Sequence, residues 1–191
     1  NEDIDEEMRR EFPAEIQKST LLLTGLVNSM LEVANLDVSE DKLPCGPTDI
    51  RNICIQEMEK ISPKPRIKYQ LDITEDTLFI PTNAQYLTMV IEHLLNNANK
   101  FTEEGFIALG YKVNLSKNQI CISVTDSGCG IPKEKQEEVF NRFSKLDTFV
   151  PGNGLGLYLC RLIVKRLDGE IKIDPEYTDG TRVVVNLPMN E

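Results

Sequence analysis

The sequence predicts an α+β domain: a two-layer α/β sandwich with helices gathered on one face of a mixed sheet, preceded by a long bundle-type helix. Three observations carry this expectation. Apolar residues recur every seven positions between residues 13 and 36. Beyond a Pro- and Gly-containing linker, short alternating runs typical of strands are interleaved with segments of helical spacing. The chain has 191 residues, of which 40% are hydrophobic, enough for one cored domain with an appendage.

The elements follow in order. Residues 1–12 are acidic, with Ile4, Met8 and Phe12 at four-residue spacing. Proline is tolerated in the first helical turn, so Pro13 predicts a helix beginning there, with a kinked or frayed turn before it. Ile16, Leu23 and Met30 form its seven-residue repeat, and Thr20, Val27 and Ala34 widen the stripe. Such a helix of roughly 24 residues would be about 36 Å long. Its apolar face asks for partner helices rather than for the domain that follows. Residues 38–47 hold Ser39, Asp41, Pro44, Gly46 and Pro47, a linker composition.

Thr48-Asp49 then caps a helix through Ile61, stopped by Ser62-Pro63-Lys64-Pro65. Ile67, Tyr69, Leu71 and Ile73 alternate as a strand, and Leu78-Phe79-Ile80 makes a short second one. Asn83 caps a helix whose buried face is Leu87, Val90, Ile91, Leu94, Leu95 and Ala98. Residues 105–113 and 119–125 read as an antiparallel pair. Residues 133–140 read as a short charged helix, 141–153 as a long loop, and 155–167 as a helix stopped at Asp168-Gly169. Strands at 170–173 and 181–187 close the chain around a turn at Tyr177-Thr178-Asp179-Gly180.

A net charge of −10 argues against a nucleic-acid or anionic-membrane surface, because phosphates would find no broad neutralising face. Five cysteines without a CxxC pair read as reduced, mostly buried thiols of a cytosolic protein. No apolar run is long enough for a transmembrane helix. The sequence starts at Asn1, which reads as a piece excised from a longer parent that could itself carry a membrane anchor.

Three constellations carry chemistry. Asp126-Ser127-Gly128-Cys129-Gly130-Ile131-Pro132 follows the strand Ile120–Val124. It puts a carboxylate where a strand ends, before glycines that let a flat ligand come close. A buried carboxylate needs a hydrogen-bond donor, and an adenine amine is one. Taken alone, an Asp before a Gly-rich turn is usually only a turn. In the second, His93, Asn97 and Lys100 share one helix face. An amide oxygen can ligate Mg²⁺ and an ammonium can reach a phosphate, although an Asn-rich helix face is often merely solvated. In the third, Gly152-Asn153-Gly154-Leu155-Gly156-Leu157 opens a helix, presenting free N–H groups and a positive dipole end suited to a triphosphate. No GKS or GKT follows, so it is not a Walker loop. Phe140 and Phe143 lie between the second and third of these and can anchor a lid, with Arg142 suited to a phosphate.

In order and spacing these pieces resemble the N, G1, F and G2 boxes of the sensor histidine kinases, within the GHKL superfamily. The matching residues are Asn97 with Lys100-Phe101-Thr102, the run 126–132, Phe140 with Phe143, and 152–157. Gly180-Thr181 looks like the small final glycine box. The resemblance covers residues 48–188. The helix at 13–36 is similar to the second helix of the family's dimerisation and phosphotransfer hairpin. This implies three parts: a partial hairpin at 1–37, a linker at 38–47, and an ATP-binding catalytic domain at 48–191.

The resemblance also implies roles. Asp126 would take the adenine amine, with Gly128 and Gly130 forming the adenine pocket and Phe101 and Ile131 near the base. Asn97 would hold Mg²⁺, with His93, standing where the family usually has asparagine, as a further candidate contact. Lys100 and Arg142 would take phosphate. Gly152, Gly154, Leu155, Gly156 and Leu157 would cradle the triphosphate of ATP, and Thr181 would belong to the same site. The implied reaction moves the ATP γ-phosphoryl group to a histidine and then to an aspartate of a response-regulator receiver domain. The parent would be a homodimer, cytoplasmic in this part and membrane-anchored only through other segments.

Two features depart from the family, the histidine at position 93 and the missing phosphoacceptor motif. The His-Glu-Leu-Arg-Thr-Pro phosphoacceptor stretch is absent, and His93 is the only histidine. Alternatives are therefore a GHKL-type ATPase, which would need a glutamate one turn before the metal asparagine, where His93 stands, or a nucleotide-gated interaction module or anti-sigma kinase without histidine kinase activity.

Overall fold

The computed structural model describes residues 43–74, 76–144 and 154–189, together with positions 12, 13, 16, 17, 20, 23–25, 27, 30, 31 and 34. Those earlier positions are helical and form part of a first helix, α1. Phe12, Ile16, Leu23, Val27, Met30 and Leu31 of this helix are all exposed. None of these described side chains is buried against the domain that follows.

The domain begins with a short strand, β1 (Gly46–Asp49), which pairs antiparallel with β3 (Phe79–Thr82). This corrects the linker reading of Gly46-Pro47. Its composition is that of a loop, but a partner distant in sequence supplies the pairing, and Thr48 Oγ1 donates to the Thr82 carbonyl at 3.0 Å. The cap of α2 (Ile50–Lys60) is Asp49, whose Oδ1 accepts from the Asn52 N–H at 3.0 Å. Asn83 caps α3 (Ala84–Phe101) in the same way, accepting from the Tyr86 N–H at 3.1 Å.

The main sheet holds β2 (Ile67–Asp72), β4 (Gly105–Asn114), β5 (Gln119–Asp126), β6 (Glu170–Ile173) and β7 (Thr181–Pro188). Its order is β2-β4-β5-β7-β6. The β2–β4 pair is parallel and the others are antiparallel, so the sheet is mixed as expected. Side chains alternate between the faces. Ile107, Leu109, Tyr111, Ile120, Ile122, Val124, Val183, Val185 and Leu187 are buried on the inner face. Helices α2, α3 and α4 (Gly156–Arg166) join them in one core. Lys112, Ser123, Lys172 and Asn186 lie on the other face, which no helix of the described residues covers.

Residues 133–140 do not make one helix. They form two single 3₁₀ turns, Lys133–Lys135 and Glu138–Phe140. Eight residues are too few to repay helix nucleation, and burial of Val139 and Phe140 ends the segment against the core. Among the described residues all five cysteines are free. Cys54 and Cys160 are buried, Cys121 is half-buried, and Cys45 and Cys129 are exposed, so the thiols are not mostly buried. No helix of the described residues is long and apolar enough to cross a membrane.

Candidate nucleotide-binding site

Strand alternation decides where Asp126 points. It lies two residues beyond Val124 and is paired with both Ile107 and Thr181, so it shares the inner, helix-covered face. There it is only 6% exposed. Its Oδ1 accepts from the Gly128 N–H at 2.9 Å and the Thr181 N–H at 3.3 Å. Among the described residues these are the carboxylate's hydrogen bonds, so Oδ2 is left as an acceptor. Burial raises the pKa of this carboxyl above the ordinary aspartate range, while the two backbone donors pull it back.

The turn after Asp126 is pressed between two other segments. A Cβ added to Gly128 would sit 2.4 Å from the Phe101 carbonyl oxygen, at the end of α3. Gly130 has φ +71° and lies against the Gly180 backbone. Gly180, at φ +147°, could not take a Cβ without striking the Asp126 carbonyl at 2.1 Å. Three chain segments thus meet at the carboxylate with only backbone between them. Ser127 ties this turn to β4, its Oγ accepting from the Phe106 N–H at 2.8 Å and its N–H donating to the Phe106 carbonyl at 3.1 Å. Nothing in the sequence singles out Ser127, because a serine in a Gly-rich turn carries no distinctive signal.

Helix α3 forms the adjoining wall. Its last residue, Phe101, touches the 126–130 turn at Gly128, while His93 faces Gly156, where an added Cβ would lie 3.8 Å from Nδ1. These contacts are two turns apart, about 12 Å along the axis. Asn97 stands midway between them, half-buried, and no hydrogen bond to its amide occurs among the described residues. Lys100 is exposed, with Nζ 4.8 Å from the centre of the Phe101 ring. Asn99 is different: both ends of its side chain are committed to residues outside the cleft.

The third wall is the start of α4. Leu155 is buried at the N-cap position, and its own side chain makes no cap hydrogen bond. Gly154 has φ +66° and lies against the backbone of Phe143 and Ser144. Leu157 and Ile131 are half-buried and pack on the core. Arg142 places its guanidinium 4.8 Å above the Tyr158 ring on α4, a partner that the sequence did not indicate. Of the two aromatics expected to anchor a lid, only Phe140 enters the core; Phe143 is 58% exposed with φ +61°. Position 143 is a turn whose backbone turns its ring outward. Gly152 lies outside the described residues. A shallow depression lined by Lys117, Cys121, Lys172 and Asn186 occupies the opposite sheet face and is remote from all these groups.

A family model described as histidine kinase-, DNA gyrase B- and HSP90-like ATPase matches residues 82–191. The chain belongs to this ATPase family. Residues 82–191 are the catalytic ATPase domain found in sensor histidine kinases. The adaptive-response sensory kinase SasA of Synechocystis sp. is 29% identical over 189 residues, covering 95% of this chain and 49% of SasA. The sensor histidine kinase WalK of Bacillus subtilis is 27% identical over 183 residues, covering 92% of this chain and 30% of WalK. The chain spans about a third to a half of the length of such curated relatives.

Among solved structures, full-length ShkA in complex with AMPPNP superposes with a TM-score of 0.82 at 25% identity, over 95% of this chain and 39% of that one. The mycobacterial sensor histidine kinase MprB gives 0.67 at 23% identity, over 76% of this chain and 98% of that one, a likeness of fold. The glycine-lined meeting point at Asp126, the α3 wall and the start of α4 all lie within the stretch matched by the ATPase family.

Proposed function

We propose that this chain binds ATP with Mg²⁺ between the end of β5, α3 and the start of α4, and serves as the catalytic region of a sensor histidine kinase. Residues 46–191 act as the ATP-binding domain, 38–45 as the connection, and 1–37 as part of a dimerisation and phosphotransfer hairpin. The observation that carries the reading is the Asp126 carboxylate: buried, with Oδ1 held by two N–H groups and Oδ2 left as an acceptor. An adenine amine would satisfy it, and the glycine backbones at 128, 130 and 180 let a flat base approach. Phe101 and Ile131 flank this end, and the Thr181 N–H holds the carboxylate from the far side.

The other groups fit the phosphate end. The first turn of α4 carries the positive end of the helix dipole behind an apolar N-cap residue, which suits an anion. Gly154, Leu155, Gly156 and Leu157 supply that turn, with Gly152 just before it. The Asn97 amide suits Mg²⁺, an oxygen-seeking ion that would neutralise phosphate charge when bound. Lys100 and Arg142 carry positive charge within reach of the same wall. Phosphoryl transfer relies on positioning and electrostatics rather than on covalent chemistry by the protein. The work assigned to these residues is therefore to fix the triphosphate in line with an incoming nucleophile.

That nucleophile is a histidine absent from this sequence, since His93 sits beside Gly156 on the nucleotide wall itself. Relay to the aspartate of a response-regulator receiver, a homodimeric parent and a cytoplasmic setting beneath a membrane-anchored sensor complete the proposal. The hydrolytic alternative needs a carboxylate base one turn before Asn97. His93 occupies that position, and the neighbouring Glu92 is exposed. The test is calorimetric titration with AMPPNP and Mg²⁺. Saturable one-site binding is expected, and absence of binding to any adenine nucleotide would refute the reading.

A further inference from the structure

The C-terminal end of α3 is held from behind by a polar cluster that takes no part in the cleft. Lys64 sits in the Ser62-Pro63-Lys64-Pro65 loop between α2 and β2. Its Nζ donates to the Asn99 carbonyl and, at 2.9 Å, to the Thr102 carbonyl. Tyr69, on β2, donates from its hydroxyl to Asn99 Oδ1 at 2.8 Å and accepts from the Lys64 N–H at 3.1 Å. Asn99 Nδ2 donates to the Ser62 carbonyl at 3.2 Å. Five residues from three segments thus close a network around the last turn of one helix.

The physical effect is directional. The last carbonyls of a helix lack intrahelical partners and carry the negative end of its dipole. Lys64 brings an ammonium to two of them. The prolines at 63 and 65 fix φ on either side, so the loop presents this charge with little freedom to lose. Residues two apart on a helix face away from one another, so a grip on Asn99 holds the back of the turn whose front carries Asn97. Lys100 and Phe101 belong to the same turn, and the Phe101 carbonyl abuts Gly128.

We propose that Lys64, Tyr69 and Asn99 are positioning residues: they fix the last turn of α3 so that the Asn97 amide and the Lys100 ammonium meet a metal-bound triphosphate in register. This rests on the nucleotide reading given above. The cluster touches no part of the expected ligand. Its contribution falls on the metal and phosphate end and leaves the adenine end at Asp126 largely alone. Groups that orient a metal ligand from behind typically change metal affinity by about 10- to 100-fold when removed.

The test is calorimetry on the full chain with two ligands: AMPPNP with Mg²⁺, and ADP in the presence of a chelator. Tyr69→Phe removes one oxygen and no packing, and Lys64→Met removes the charge but keeps the stem. Each is expected to weaken Mg²⁺·AMPPNP binding about 10-fold, with chelated ADP binding within about two-fold of wild type. Lys64→Arg, which keeps a cationic donor, is expected to restore most of the loss. Variants that bind Mg²⁺·AMPPNP like wild type, or that lose both ligands in equal proportion, overturn the clamp while leaving the nucleotide site standing. Wild type that binds neither ligand overturns the nucleotide reading itself, and the clamp with it.

Discussion

The role proposed for Asp126 sets stability against function within one residue. Ionising a carboxyl in this buried setting is unfavourable, and its pKa is raised for that reason. A carboxyl with a higher pKa in the folded state than in the unfolded state removes stability as pH rises through that interval. Asp126→Asn keeps an oxygen for the Gly128 and Thr181 N–H groups and has no charge to desolvate. It is expected to melt no lower than wild type at pH 7, yet to bind AMPPNP at least about 10-fold more weakly, because an amide facing the adenine amine leaves a polar mismatch. Scanning calorimetry beside titration calorimetry checks both halves; a variant that binds normally refutes the adenine role. In the proposed site an ionised Asp126 would accept from the adenine amine, so wild-type affinity is expected to fall on acidification. That fall begins above the ordinary aspartate range, where a titration series from neutral to acid pH would locate it. The cysteines make a second residue-scale test. Burial pushes the Cys54 thiol up to about 12 and raises Cys160 as well, so both should resist alkylation in the native state. Exposed Cys45 and Cys129 should react first. Cys129 lies in the turn after Asp126, so on the proposed reading Mg²⁺·AMPPNP should slow its labelling, read by mass spectrometry, and leave Cys45 unchanged.

Among elements, the ones with local causes were legible in the sequence. The caps at Asp49 and Asn83, the stop at Asp168-Gly169 and the strands β4, β5 and β7 follow from residue types a few positions apart. β1 was not legible, because Gly46-Pro47 becomes a strand only through β3, which comes much later in the chain. The two 3₁₀ turns at 133–140 were hidden by a helical charge pattern on a segment too short to propagate. The 126–130 turn was recognised, but its dependence on Gly180 was not, since close approach of backbones has no sequence period. That dependence yields a prediction. Gly180→Ala places a Cβ against the Asp126 carbonyl at an unfavourable φ, and is expected to cost at least about 2 kcal/mol, or about 4–8 °C in Tm. A thermal melt matching wild type would show that the two turns are not so tightly joined.

At the scale of the whole molecule, the order of motifs along the chain told how the cleft would be assembled. The clamp behind it could not be read, because Lys64, Tyr69 and Asn99 come from a loop, a strand and a helix and meet only in the fold. The exposed stripe of α1 makes the phosphotransfer proposal testable. Incubated with γ-labelled ATP, this chain should show no labelled histidine, whereas a separately prepared helical hairpin of a sensor histidine kinase, bearing its phosphoacceptor histidine, should take up acid-labile phosphate. Label on His93, lost in His93→Gln, would contradict the assignment of the acceptor. The single parallel pair, β2 with β4, has a consequence for how the molecule is made. β4 and β5 are joined by a tight turn and can zip together early after dilution from denaturant. β2 must wait until β3 and α3 have been threaded across, since its register runs from Ile67 beside Gly105 to Asp72 beside Gly110. In a pulsed deuterium-labelling experiment the amides of β2 should be the last of the sheet to gain protection. The nucleotide cleft, whose rear support includes Tyr69, would then be the last part of the molecule to acquire its working shape.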